Sequence, residues 1–206
     1  MRLVSPRDQG MNILETIAKH KLKPTGVIQV GSHHGEEIPI WESLGIPHIH
    51  FEPVRANYTK MMRDFPSVMI YPVALGSEKS VKDMFCETVN GGQSCSLLAP
   101  KEHLKILPWV DFNSKEKVIV CELDDFNIEH CNMLYIDAQG YELEVLRGGV
   151  WTIDVVDYII TEVNRAEVFE GCARIDEIDE YMAHASLHRV ETNWHGGDFG
   201  DALYVR

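Results

Sequence analysis

Met133-Leu134-Tyr135-Ile136-Asp137-Ala138-Gln139-Gly140-Tyr141-Glu142-Leu143-Glu144-Val145-Leu146-Arg147 reads as a short apolar strand that ends on an acid, turns at a glycine and continues as a helix. The same grammar recurs on both sides of it. Upstream, Val27-Ile28-Gln29-Val30 is a β-branched strand stopped by Gly31, and Ser32-His33-His34-Gly35 leads into a helix expected over 36–44. Glu36 and Glu37 are expected in the first turn of that helix, where the helix dipole favours acids, with Pro39 tolerated beside them. A strand at 48–51 ends at Glu52-Pro53, a helix spans 54–64 and a third strand 68–73. Downstream, a strand at 158–163 and a helix at 175–185 precede two strands at 187–191 and 202–205.

Strands alternating with helices imply a parallel sheet covered on both faces. The loop between the last two strands is too short for a parallel crossover, so they must run antiparallel. The regular alternation is broken after Ala74-Leu75-Gly76. Strands are expected at 81–87 and 118–123, separated by loop-rich sequence containing Asn90-Gly91-Gly92. A helix with the apolar spacing Ile13, Leu14, Ile17 and Ala18 precedes the first strand. All of this fits one domain over 1–206, with an N-terminal helix and turn in 1–26 and a strand-and-loop region at 77–123.

The chain has 206 residues and a formal charge of −13, from 19 basic and 32 acidic side chains. That balance disfavours a nucleic acid partner, which would require a basic face. The five cysteines are widely spaced without a CxxC pair and read as reduced thiols with no zinc spacing. No apolar run reaches the length of a membrane span, and the first ten residues lack the pattern of a signal peptide. A soluble, intracellular, cytoplasmic protein is the expectation.

In an open α/β sheet, ligands bind outside the carboxyl ends of the strands. Those ends place Gly31 to Gly35, Glu52, Ala74, Asp137, Glu162 and the 193–198 loop along one edge. Gly31 and Gly35 form a GxxxG spacing and not the GxGxxG of dinucleotide enzymes. Glu52, at the end of the second strand, is placed to accept both hydroxyls of a ribose. Together these features favour an adenosine-containing ligand without a pyrophosphate.

The stretch Tyr135 to Gly148, together with Phe51-Glu52-Pro53, Ala74-Leu75-Gly76 and Leu123-Asp124-Asp125, resembles the FkbM-type S-adenosylmethionine-dependent methyltransferase family. The resemblance runs from about Val27 to the C-terminus. It implies a three-layer, Rossmann-like class I methyltransferase fold, with a mostly parallel seven-stranded sheet ending in an antiparallel hairpin. It also implies S-adenosyl-L-methionine as cofactor, and S-adenosyl-L-homocysteine as its product. Gly31, Ser32, His33 and Gly35 would hold the methionine end, Glu52 and Pro53 the ribose, and Ala74 the adenine edge. Asp137 and Gln139 would stand beside the methyl donor. Gln29 departs from the family, which usually carries Asp at that position, and His33 stands where Asn is commoner.

Methyl transfer to an alcohol requires a group that takes its proton. The candidates are His195, Glu162 and Asp137; histidine as a residue type titrates near neutral pH. Gly91 to Ser94 could form a wall over the site, and Trp109 or Trp194 could stack on a sugar. Asp124-Asp125 is read as a cap for the following turn rather than a metal site. A divalent ion at Asp137 is conceivable and not expected, and neither His48/His50 nor His184/His188 brings a third ligand. The resulting expectation is an O-methyltransferase acting on a small-molecule or glycan hydroxyl, foremost that of a sugar in a glycan or glycosylated metabolite. A non-catalytic protein that retains the fold, and a dinucleotide oxidoreductase, are the alternatives.

Overall fold

Both faces of the central strand are sealed. In the computed structural model, which describes residues 10–126, 128–195 and 197–206, every residue of β1 (Val27–Val30) is buried. Its neighbours are β2 (His48–Phe51) on one side and β7 (Met133–Ile136) on the other, both parallel to it. β3 (Met69–Tyr71) extends the sheet beyond β2, and β8 (Tyr158–Asn164) extends it beyond β7. β10 (Phe199–Val205) runs antiparallel to β8 and to β9 (His188–Trp194), giving the order β3-β2-β1-β7-β8-β10-β9. The expected antiparallel ending is therefore present, with the last strand inserted between β8 and β9.

Side-chain alternation along the strands divides the core into two layers. Val27, Met133, Ile160 and Leu203 face α1 (Ile13–His20) and α2 (Ile38–Leu44), where Trp41 is fully buried. Ile28, Leu134, Ile159 and Tyr204 pack on the other layer. That layer is built from α5 (Glu142–Arg147), α6 (Val150–Val155) and α7 (Ile175–His184). α3 (Arg55–Asp64) covers the β3 edge through Met61 and Ile70.

Six local expectations change. β3 is shorter than the apolar run because Pro72 has no N–H to donate to a ladder. The acids before α2 do not sit in its first turn. The helix begins at Ile38, and Glu36 instead accepts the His34 N–H while Glu37 accepts from the Gln29 side-chain amide. The helix α6 was not expected from the sequence, nor was β4 (Ala74–Leu75). β4 joins β6 (Ser114–Cys121) and β5 (Ser80–Cys86) in a separate three-stranded sheet, so the strands expected at 81–87 and 118–123 lie outside the main sheet. A short helix, α4 (His103–Ile106), interrupts the loop between β5 and β6.

Of Asp124 and Asp125, expected to cap the following turn, Asp125 does so by accepting the Glu122 N–H, whereas Asp124 caps a distant helix. Its carboxylate accepts the backbone N–H groups of Trp151 and Thr152 and the Thr152 hydroxyl, at 2.8–2.9 Å. The N-cap residue of α6 is Gly149, which has no side chain to serve. Asp124→Ala should therefore destabilise the protein by about 0.5–2 kcal/mol. Urea denaturation followed by circular dichroism measures it, and Asp124→Asn should recover part of the loss.

Candidate active site

The chain leaves β1 toward the β2 side and returns at β7, so the carboxyl ends of β1 and β7 meet at the switch point of the sheet. Gly31 adopts φ +76°, and a Cβ built on it would lie 1.8 Å from the Asp137 carbonyl oxygen. Only glycine fits there. The Asp137 N–H donates to Val30 O at 2.9 Å, fixing the two strand ends together.

Two cavities open at this junction. The smaller, about 50 Å³, is lined by Gly31, His33, Glu52, Pro53, Ala74 and Gln139, among others. The larger, about 430 Å³, is lined in part by Glu36, Tyr135, Glu162, Phe169, His195 and Asp201. Gln93, Asp137 and Gln139 line both. Sequence-selected residues thus converge as strand order requires. Ser32 and Gly35 line neither cavity: Ser32 is buried with its hydroxyl 2.9 Å from His50 Nδ1, and Gly35 abuts Ile38 and Phe65. Both shape the turn from behind.

Glu52 is buried and accepts the His33 N–H at 2.7 Å, the Val54 N–H at 2.9 Å and the Asn57 amide at 3.4 Å. Burial pushes its carboxyl up to about 7, against the opposing pull of those donors. His33 has φ +48°, with Nδ1 2.7 Å from Glu36 and Nε2 2.7 Å from the Gly91 carbonyl. His33 thus ties the Gly31–Gly35 turn to the Gly91-Gly92-Gln93 turn above it.

Gln29, the departure from the family pattern, points away from the cavities. Its amide donates to Glu37 and accepts from the Trp41 indole N–H, both at 2.7 Å. It anchors α2 rather than the glycine turn.

Gln139, at φ +51°, donates from one nitrogen to Asp137 at 2.6 Å and to Glu162 at 2.9 Å. It holds two of the expected base candidates as a pair. The third, His195, has Nε2 2.9 Å from Asp201 Oδ2, an oxygen that also accepts the Met11 N–H. An ionised carboxylate only accepts, so Nε2 donates its N–H in this pair. Asp201 has no motif around it and was missed. Its pairing across β10 with Asn193 is what brings it beside the hairpin turn.

Three further residues were missed by sequence reasoning. Glu142, buried at the start of α5, accepts the Ala138 and Gly140 N–H groups at 3.0 Å and is pushed up to about 7 by burial. It was visible only as part of a helical run. His103 lines the larger cavity, packs against Phe112 and Phe169, and is driven down to about 4 by burial, hence neutral. Its Nδ1 is buried without a hydrogen-bond partner. His34 joins His33 and Glu36 in a group whose ligand atoms lie within 4.8 Å of one another, a spacing that could hold a metal ion. In the structure, the Glu36 carboxylate is occupied with the His33 ring and the His34 N–H.

Neither tryptophan lines a cavity: Trp109 is exposed, and Trp194 carries the Arg165 guanidinium 3.7 Å above its ring. The expected wall is present in part, through Gly92 and Gln93 over the smaller cavity and Asn90, Gln93 and Ser94 at the larger.

Residues 29–189 match the Methyltransferase FkbM domain. The chain belongs to the FkbM methyltransferase family. A curated relative, the 2-O-methyltransferase NoeI of Sinorhizobium fredii (strain NBRC 101917 / NGR234), is 34% identical over 82 residues, covering 38% of this chain and 34% of that protein. The crystal structure of methyltransferase FkbM from Methylobacillus flagellatus KT superposes with a TM-score of 0.57 at 13% identity, covering 88% of this chain and 43% of that one. Magnesium protoporphyrin IX methyltransferase from Synechocystis PCC 6803, solved with bound S-adenosylmethionine, gives 0.53 at 8% identity, covering 94% and 75%. The chain thus spans about a third of the first relative and less than half of the second. The structural likenesses establish the class I, Rossmann-like methyltransferase fold for this FkbM-family chain.

Glu52 and Glu142 give the fold a pH dependence of known sign. Each has a folded pKa above its ordinary 4.5, so its stabilising contribution is complete below about 4.5 and is lost as pH rises through about 7. Unfolding free energy should therefore fall between about pH 5 and pH 8, by a few kcal/mol in total. Glu142→Gln keeps the accepting oxygen and should flatten this slope while stabilising the protein at pH 8. Urea midpoints at three pH values decide it.

Proposed function

We propose that this chain is an S-adenosylmethionine-dependent O-methyltransferase whose acceptor is a hydroxyl, foremost that of a sugar in a glycan or glycosylated metabolite. One observation carries the reading: two cavities of different chemistry meet at Asp137 and Gln139. Family membership supports methyl transfer, and the relative named as a 2-O-methyltransferase supports oxygen as the accepting atom.

The smaller cavity fits the cofactor's chemistry. The Gly31 backbone lies bare at its edge, and the Glu52 carboxylate, with about four acceptor sites of which three meet N–H donors, has capacity left for a ribose hydroxyl. Pro53 and Ala74 border the adenine side, and Asp137 and Gln139 the reactive end. When bound, S-adenosyl-L-methionine supplies an electrophilic methyl group on a sulfonium sulfur.

His195 is the base in this reading. Asp201 holds Nε2–H, so Nδ1 takes the proton of the acceptor hydroxyl as its oxygen becomes nucleophilic. Asp137 and Glu162, spaced by the Gln139 amide, orient the acceptor within the roughly 3–3.5 Å and alignment that methyl transfer requires. Glu36, Glu37, Asp137, Glu162 and Asp201 all line the larger cavity, which favours a neutral or cationic acceptor over a polyanion.

Calorimetry with S-adenosyl-L-homocysteine should show binding that Glu52→Ala weakens by about tenfold or more. Absence of binding to the wild type would sink the proposal. With radiolabelled cofactor and a panel of methyl fucosides, rhamnosides, glucosides and galactosides, His195→Ala should lower kcat by about 10²–10⁴. Its homocysteine-product affinity should stay within about twofold of wild type, since His195 lies on the acceptor side. Binding without transfer to any acceptor would point to a non-catalytic protein.

A further inference from the structure

Cys86 ends β5, and Cys95 follows the turn that carries Gly91, Gly92 and Gln93. Phe85 and Ser96 exchange both backbone hydrogen bonds, at 2.8 and 3.0 Å, as a narrow antiparallel pair. Extended by one residue, the register of that bridge sets Cys86 opposite Cys95. In the wide position of such a ladder, opposed Cα atoms are about 4.5 Å apart. That falls inside the roughly 4.4–6.8 Å that a disulfide requires. Both side chains point to one face, against the cluster of Val54, Ala74, Met84, Val118 and Val120. The thiols also interact: a hydrogen bond between them pulls Cys86 below the ordinary thiol range and drives Cys95 above it. Each thiol also lies near a backbone carbonyl, Cys86 Sγ 3.5 Å from Met84 O and Cys95 Sγ 3.9 Å from Glu87 O.

We propose that Cys86 and Cys95 form a reversible disulfide that locks the 88–94 turn down over the smaller cavity. Hydrogen peroxide is an oxidant small enough to reach a buried thiol. One of the two thiols, as its thiolate, attacks a peroxide oxygen; an S–O bond forms, the O–O bond breaks, and the departing hydroxide takes a proton to become water. The other sulfur then displaces the hydroxyl from that sulfenic acid, an S–S bond forms, and its proton leaves with the hydroxide as a second water. The two thiols lose two electrons and the peroxide gains them. A dithiol reductant reverses the bond by exchange.

The turn matters because Gly92, Gln93 and Cys95 all line the smaller cavity, and Gly91 is bound by His33. With the turn down, that cavity is about 50 Å³, far below the roughly 300 Å³ at which small-molecule sites begin. Cofactor entry therefore requires the turn to lift, and the disulfide opposes lifting. This effect on the cofactor rests on the proposed function; the covalent bond does not.

Wild-type protein treated with hydrogen peroxide, alkylated in denaturant and digested should yield a Cys86–Cys95 linked peptide by mass spectrometry. Dithiothreitol should remove it, and neither Cys86→Ser nor Cys95→Ser should form it. Free thiols, over-oxidised Cys86 or a different pairing would overturn the proposal. Hydrogen exchange at residues 88–94 should slow at least tenfold in the oxidised form, and an unchanged rate would overturn the lock. S-adenosyl-L-homocysteine should bind oxidised wild type at least tenfold more weakly than reduced, with no peroxide effect in Cys95→Ser. If reduced wild type fails to bind it at all, the proposed function fails, while peptide mapping and exchange still decide the lock.

Discussion

The site is organised around the close passage of two strand ends. At Gly31, the backbone leaves β1 in a conformation where a side chain would collide with the Asp137 carbonyl. Because nothing intervenes, the glycine turn and Asp137 share one small region, and the Asp137 N–H closes on Val30 O. The rest follows from that contact. β1 and β7 must be adjacent, the chain must cross over between β3 and β7, and polar ends from both halves must face one edge. Helices on both faces satisfy the apolar residues of the strands and leave the carboxyl edge as the place for polar chemistry.

Electrostatics divides that edge into two environments. Near the smaller cavity, Glu52 and Glu142 are buried carboxyls whose pKa burial raises, while the backbone N–H groups they accept stiffen the turns and pull it back down. At the larger cavity, carboxylates are grouped by shared donors, as Asp137 and Glu162 are by Gln139. His195 is placed by Asp201 with one nitrogen engaged. Buried polar groups with their partners in place do not reorganise when a ligand arrives, and such preorganisation is the main contribution a protein makes to group transfer.

The small sheet of β4, β5 and β6 relates the site to its cover. β4 delivers Ala74 to the cofactor side, while β5 leads into the turn that lies over it. The His33–Gly91 contact holds the middle of that turn, and the Phe85–Ser96 bridge closes its base.

What the sequence determined was whatever a local window encodes. A β-branched run specified β1 and a short run ending at Phe51 specified β2 to the residue, and Gly31, Glu52 and Asp137 were marked by standing at strand ends. The short final loop dictated the antiparallel ending. Tertiary structure alone decided the partners that lie far apart along the chain. Asp124 caps a helix 26 residues on, Gln29 serves α2 instead of the cofactor turn, and Asp201 supports His195 through β10 register. β4 could not be read because two residues carry no periodicity; it exists only because β6 is there to pair with it. Cys86 and Cys95 looked like isolated thiols for the same reason. Their opposition is a property of strand register, which depends on how distant segments pack and leaves no pattern in the intervening sequence.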